Sequence, residues 1–152
     1  MTSEPHQGDK SLERLRALSV LIIDDSDLTR EVLKAVVGSF GIPNIFEARD
    51  GIAGFDILAR QPVDVIICDI IMLPMHGMKF IESLRAGAVP QGVSGPIPRD
   101  IPVIMITGKT LKELVEDPEQ GWDAILSKPI QPDALLAELI RLAPGRPPET
   151  ER

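Results

Sequence analysis

Four short apolar runs in this chain lead directly to residues with polar chemistry. Leu21-Ile22-Ile23 is followed by Asp24 and Asp25, Ile66-Ile67-Cys68 by Asp69, and Ile104-Met105-Ile106 by Thr107 and Gly108. Lys128 follows the run Ala124-Ile125-Leu126 after one intervening serine. If the runs are parallel strands, these residues meet along one edge of a sheet. Three carboxylates brought together repel, so either some of their pKa values rise or a cation binds between them. Mg²⁺ suits such a cluster, because it is hard, prefers oxygen, and takes one or two carboxylates together with waters and a phosphoryl oxygen. Each residue taken singly has a plainer explanation. Asp24 or Asp25 would serve as a cap for a helix starting near Asp27, Asp69 as a turn residue, Thr107 as a strand-end hydroxyl and Lys128 as a solvated charge. Together, four such accidents at successive strand ends are a poorer account than one site.

The elements needed to hold these residues are legible in the hydrophobic pattern. Val20–Ile23, Ile45–Ala48, Val63–Cys68, Val103–Ile106 and Ala124–Leu126 read as five strands. The third and fourth are nearly continuous in apolar residues, as expected of strands covered on both faces. Between them, Leu28, Val32, Leu33, Val36 and Val37 recur at helical spacing, with Gly38, Gly41 and Pro43 as the stop. Ile52 to Ala59, Met78 to Arg85, Leu111 to Val115 and Asp133 to Leu142 read as further helices. This alternation predicts an α/β fold, a doubly wound parallel sheet with helices on both faces. Ligands of such sheets sit at the carboxyl ends of the strands, near the point where strand order reverses.

The folded unit is expected over residues 19–143, with an N-terminal extension over 1–18 and a flexible Pro- and charge-rich tail over 144–152. Met1 to Ser11 reads as frayed, while Leu12, Leu15 and Leu18 form a short helical stripe. Ala86 to Asp100, rich in glycine and proline, reads as a surface insertion longer than the usual ~4–6 residues.

Composition narrows the function classes. The 152 residues contain 43% hydrophobic and 26% charged side chains, enough for one globular core. The net charge of −7 argues against nucleic acid or anionic lipid as a partner, since both demand clustered Lys and Arg. The single cysteine, Cys68, lies in an apolar run, and no stretch approaches the ~20 apolar residues of a membrane span. The expectation is a cytoplasmic protein.

The constellation resembles the receiver domains of two-component response regulators, over about residues 19 to 142. Leu21-Ile22-Ile23-Asp24-Asp25-Ser26 looks like that family's acidic pair, and Asp69-Ile70-Ile71-Met72-Leu73-Pro74-Met75-His76-Gly77 like its acceptor segment. Thr107-Gly108 resembles the hydroxyl switch, and Lys128-Pro129 the Lys-Pro pair. Ala48 with Asp50-Gly51 adds a weaker match.

The resemblance implies a flavodoxin-like sheet of strand order 2-1-3-4-5, and a signalling domain rather than an enzyme. Asp69 would take a phosphoryl group from a histidine kinase or histidine phosphotransfer protein. By the family's pattern Asp25, Asp69 and the carbonyl of Ile71 would ligate Mg²⁺ directly, and Asp24 would act through water. Lys128 and Thr107 would hold phosphoryl oxygens, and Gly108 would leave room for them. The peptide bond before Pro129 would be cis. The signal would leave through contact with a downstream protein at a face around Leu111, Val115, Trp122 and Ile125, the protein being a monomer or weak dimer.

Four positions depart from the family's pattern. Ile125 replaces the usual aromatic residue of the switch, Leu73 displaces the usual proline to Pro74, and His76 stands where Asp is common and reads as a surface loop residue. Trp122 stands where a small residue is usual. Two rival readings follow. Asp25-Ser26-Asp27-Leu28-Thr29 fits the nucleophile motif of haloacid-dehalogenase-type phosphatases, with Asp25 as nucleophile. That family also needs an acidic pair after the lysine, and only Asp133, Glu138, Glu149 and Glu151 follow Lys128. A phosphorylation-independent pseudo-receiver is the other.

Overall fold

The computed structural model describes residues 7–72, 75–93, 95–108 and 121–143. Five strands, β1 (Ser19–Ile23), β2 (Asn44–Ala48), β3 (Val65–Asp69), β4 (Val103–Thr107) and β5 (Ala124–Ser127), form one sheet. Five helices are described: α1 (Gln7–Leu15), α2 (Asp27–Ser39), α3 (Gly51–Arg60), α4 (Gly77–Ala86) and α5 (Pro132–Leu142). The order is β2-β1-β3-β4-β5, and every neighbouring pair is parallel. The doubly wound, flavodoxin-like expectation is therefore met. The helix expected over Leu111 to Val115 and the tail over 144–152 lie outside the described residues.

Alternation along the strands divides the core in two. Leu21, Ile23, Ile66, Cys68, Val103 and Met105 face α3 and α4, where Phe55 and Phe80 pack with ring centroids 4.9 Å apart. Val20, Ile22, Val65, Ile67, Ile104 and Ile106 face the opposite way, against Leu33 and Val37 of α2 and Leu135 and Leu139 of α5. A strand's side chains alternate between faces, so β1, β3 and β4 are fully buried. The chain passes from β1 outward to β2 and then crosses to β3 on the other side of β1. The switch point falls between β1 and β3, where Asp24, Asp25 and Asp69 emerge.

Three local readings change. β3 begins at Val65 rather than Val63, because Asp64 turns aside to Ser19. Its amide donates to the Ser19 carbonyl and its carboxylate accepts from the Ser19 amide, both at 2.8 Å. Helix α1 starts at Gln7, so residues 7–11 are helical where fraying was expected. Leu15 and Leu18 are buried in the core on the α5 side. The segment from Ala86 to Asp100 is more than a surface insertion, since Val93 and Ile97 pack against the core under α3 and α4. Gly87 closes α4 in the left-handed region at φ 75°, which favours glycine. The Arg85 guanidinium then donates to the carbonyls of Arg99 and Ile101, each at 2.7 Å, and of Gly121 at 3.0 Å.

Candidate functional site

Asp24 follows the last residue of β1, and its amide donates to Ala48 of β2 at 3.1 Å. Asp24 is 1% exposed, whereas Asp25 points into solvent. Neither caps α2. That role belongs to Ser26, whose hydroxyl accepts from the Thr29 amide at 3.1 Å. The plainest alternative account of the acidic pair is thereby removed. Asp69 ends β3 and is almost buried, and Thr107 ends β4 at 1% exposure.

Oxygen atoms of Asp24, Asp25 and Asp69 all lie within 4.8 Å of one another, and among the described residues this is the one group of three fit to hold a metal ion. Lys128, just past β5, places its Nζ 3.3 Å from Asp69 Oδ1, and its amide donates to the Thr107 carbonyl at 2.6 Å. The bond to Pro129 is cis, as the resemblance implies. Two buried oxygens are left over. Asp24 Oδ1 accepts from the Ser26 amide at 2.8 Å, but Asp24 Oδ2 and Thr107 Oγ1 have no hydrogen-bond partner among the described residues. Buried polar atoms of this kind are costly, and both oxygens belong to residues at these converging strand ends. A hard cation and a polar ligand would satisfy them.

The segment after Asp69 is held by α4. The Gly77 amide donates to the Ile70 carbonyl at 2.8 Å, and a Cβ at Gly77 would fall 2.3 Å from the Asp69 carbonyl. Only glycine permits this approach. His76 is exposed, as expected, and it also caps α4 by accepting the Met78 amide on Nδ1 at 3.3 Å. Ile71 is two residues beyond Asp69 with its side chain 54% exposed. Among the described residues nothing lies within 4 Å of where a Cβ at Gly108 would sit. Trp122 and Ile125 are half-buried and pack against the core below α4. Leu111 and Val115, the other residues expected at the output face, lie outside the described residues.

Burial raises the Asp69 carboxyl above the ordinary carboxylate range, and the charge of Asp24 adds to the effect while Lys128 opposes it. Burial likewise raises Asp24, against the pull of the Ser26 amide, Lys128 and Arg30. Burial also pushes the Cys68 thiol well up, which leaves it protonated and unreactive. A raised carboxyl binds its proton more tightly in the folded chain than in the unfolded one. Stability without a cation therefore falls as pH climbs from the unfolded value of about 3.9 through the raised folded values. In metal-free buffer Asp69→Asn should accordingly unfold at a higher temperature than the parent at pH 7. Its advantage should shrink toward about pH 3.9; thermal unfolding at both pH values, with chelator present, checks this.

Sequence reasoning missed Arg30, whose Nη1 donates to the Asp24 carbonyl at 2.6 Å. Its signal was weak, being one basic residue in the first turns of an amphipathic helix.

Comparison with known proteins gives a consistent answer. A family model described as response regulator receiver domain matches residues 20–140. The chemotaxis protein CheY homolog of Campylobacter jejuni (strain 81-176) is 27% identical over 124 residues, covering 80% of this chain and 89% of that protein. Sensor histidine kinase RcsC of Salmonella typhi is 27% identical over 128 residues; the match covers 84% of this chain but spans only 12% of the kinase. Among solved structures, the signal receiver domain of a signal transduction histidine kinase from Syntrophus aciditrophicus superimposes with a TM-score of 0.69. It is 28% identical, with 85% of this chain and 92% of that one covered. The receiver domain of sensor histidine kinase PA1611 from Pseudomonas aeruginosa PAO1, which has a magnesium ion coordinated in its active site cleft, shares the fold. Its TM-score is 0.69 at 24% identity, covering 83% of this chain and 97% of that one.

Proposed function

The chain belongs to the response regulator receiver domain family, and from that premise we propose that Asp69 accepts a phosphoryl group in a Mg²⁺-dependent reaction. The observation that carries the reading is the cluster itself: three carboxylates with oxygens within 4.8 Å, beside a lysine 3.3 Å from Asp69. Asp69 attacks the phosphorus of a phosphohistidine, the N–P bond breaks, and an acyl phosphate forms. Asp25, Asp69 and the Ile71 carbonyl would hold Mg²⁺ directly and Asp24 through water, and the ion would supply positive charge against the phosphoryl oxygens. Lys128 shifts from Asp69 to a phosphoryl oxygen as the carboxylate charge is consumed. Gly108 leaves that side open. Mixing the protein with a small phosphodonor and Mg²⁺, and locating the modified residue by mass spectrometry, tests the assignment.

Receiver domains partner with histidine kinases. The donor here is a histidine kinase or a histidine phosphotransfer protein, approaching the edge where the strands end. Exposed apolar side chains gather at that edge: Leu28 in the first turn of α2, Ile52 in the first turn of α3, and Ile71 after β3. Apolar anchors of this kind suit a protein interface. Residues 19–143 form the switching unit, with 1–18 an extension and 144–152 a tail. The unit acts as a cytoplasmic monomer or weak dimer that signals to a downstream protein through Leu111, Val115, Trp122 and Ile125.

The haloacid-dehalogenase reading gives way to the family match, and on the reading proposed here Asp25 serves as a metal ligand rather than a nucleophile. The complete acidic cluster, Thr107 and Lys128 count against a pseudo-receiver.

Thr107 carries the conformational response in this account. Its hydroxyl, buried and without a hydrogen-bond partner among the described residues, turns to a phosphoryl oxygen and gains a charge-assisted hydrogen bond. Ile125 has no ring to follow it, so Trp122, packed against the same core, is the reporter. Backbone NMR and Trp122 fluorescence should respond to a phosphoryl mimic in the parent and lose most of that response in Thr107→Ala. An undiminished response in the variant would place the switch elsewhere.

A further inference from the structure

Arg30, in the first turns of α2, carries a side chain only 14% exposed. Its guanidinium reaches three acceptors: the Asp24 carbonyl at 2.6 Å, Glu47 at 3.3 Å and the Asp27 carboxylate. Glu47 is itself steadied by Lys34 at 3.2 Å. Glu47 also immediately precedes Ala48, whose carbonyl accepts the Asp24 amide at 3.1 Å. Asp24 is thus held at every polar group but one: amide on β2, carbonyl on Arg30, Oδ1 on the Ser26 amide, with Oδ2 buried and without a partner among the described residues.

The Asp24 carbonyl belongs to the peptide unit that joins Asp24 to Asp25. Fixing it sets the plane from which the Asp25 side chain leaves the backbone. Because Asp25 is exposed, this backbone restraint is a principal control on where its carboxylate lies. A cation bonded to the Asp24 carbonyl opposes a second cation at the Asp24 carboxylate electrostatically. Its value to the site must then be geometric.

We propose that Arg30 is a positioning residue for the metal site, clamping the Asp24–Asp25 peptide so that the two carboxylates face Asp69 before the cation arrives. This rests on the reading that Asp24, Asp25 and Asp69 bind Mg²⁺. Partners behind metal ligands that fix their orientation typically change affinity by about 10–100-fold when lost.

Charge and position give opposite signs, so one titration separates them. Mg²⁺ is titrated calorimetrically into the parent, Arg30→Ala, Arg30→Lys and Asp25→Asn. Positioning predicts that Arg30→Ala binds Mg²⁺ about tenfold or more weakly, whereas loss of a repelling charge alone would tighten binding. Arg30→Lys, which keeps the charge and one donor but not the fork, should fall between. It carries the test if the alanine variant fails to fold. In metal-free protein the Ser26 amide should exchange hydrogen faster in Arg30→Ala than in the parent. Unchanged or tighter Mg²⁺ binding in a folded Arg30→Ala overturns the proposal while leaving the metal site intact. Failure of the parent to bind Mg²⁺, or undiminished binding by Asp25→Asn, overturns the metal reading and the proposal with it.

Discussion

Asp25→Asn should slow phosphoryl uptake by about 10²–10³-fold at a fixed, subsaturating Mg²⁺ concentration, the scale on which losing one preorganised charge-stabilising group is felt. Asp24 is buried and has committed one oxygen to the Ser26 amide, and on the reading proposed above Asp69 serves as nucleophile as well as ligand. Asp25 is the member exposed to solvent, free to take a hydrated cation with least desolvation. An asparagine there keeps the shape but removes a charge, and a hard cation binds a neutral amide far less well. Initial rates of labelling across a Mg²⁺ series check this: the variant's curve should shift to higher Mg²⁺. A curve superimposable on the parent's would mean that Asp25 is no ligand.

The site was legible because its residues sit at positions fixed by a short repeat. β1, β3 and β4 are compact apolar runs whose ends are marked by the first polar residue, Lys128 comes directly after β5, and a parallel sheet brings those ends together without further information. Asp24, Asp25, Asp69, Thr107 and Lys128 could be read in that way, and the fold brings the acidic trio and Lys128 together and leaves the Thr107 hydroxyl without a partner among the described residues. What was not legible depends on side chains that reach across the chain. Asp64 continues an apolar run in sequence, yet it shortens β3 by binding Ser19. Arg85 reads as an ordinary basic residue in the last turn of a helix, yet its guanidinium ties four acceptors together: the carbonyls of Arg99, Ile101 and Gly121 and the Asp123 carboxylate at 3.1 Å. Ser26 takes the capping role that Asp24 or Asp25 would have filled. Arg30 could not be singled out, because its acceptor is a backbone carbonyl six residues earlier, and a carbonyl leaves no mark on composition.

Asp69→Asn should abolish phosphoryl acceptance altogether. The reaction needs a carboxylate oxygen with an available electron pair, and an amide of the same size supplies none of comparable nucleophilicity. Neither neighbour is a ready substitute, since Asp24 is 1% exposed with one oxygen already bonded and Asp25 does not have Lys128 beside it. The substitution should not damage the fold, because it removes a buried charge whose carboxyl is held above its ordinary range. Loss of labelling in a folded variant therefore speaks to chemistry. The decisive reading is intact mass followed by peptide mapping, after exposure to a small phosphodonor with Mg²⁺. The parent should gain one phosphoryl group, located on Asp69, and none when chelator is present during exposure, and Asp69→Asn should gain none. Labelling of Asp69→Asn to the parent's extent, or a modified residue other than Asp69 in the parent, would contradict the account.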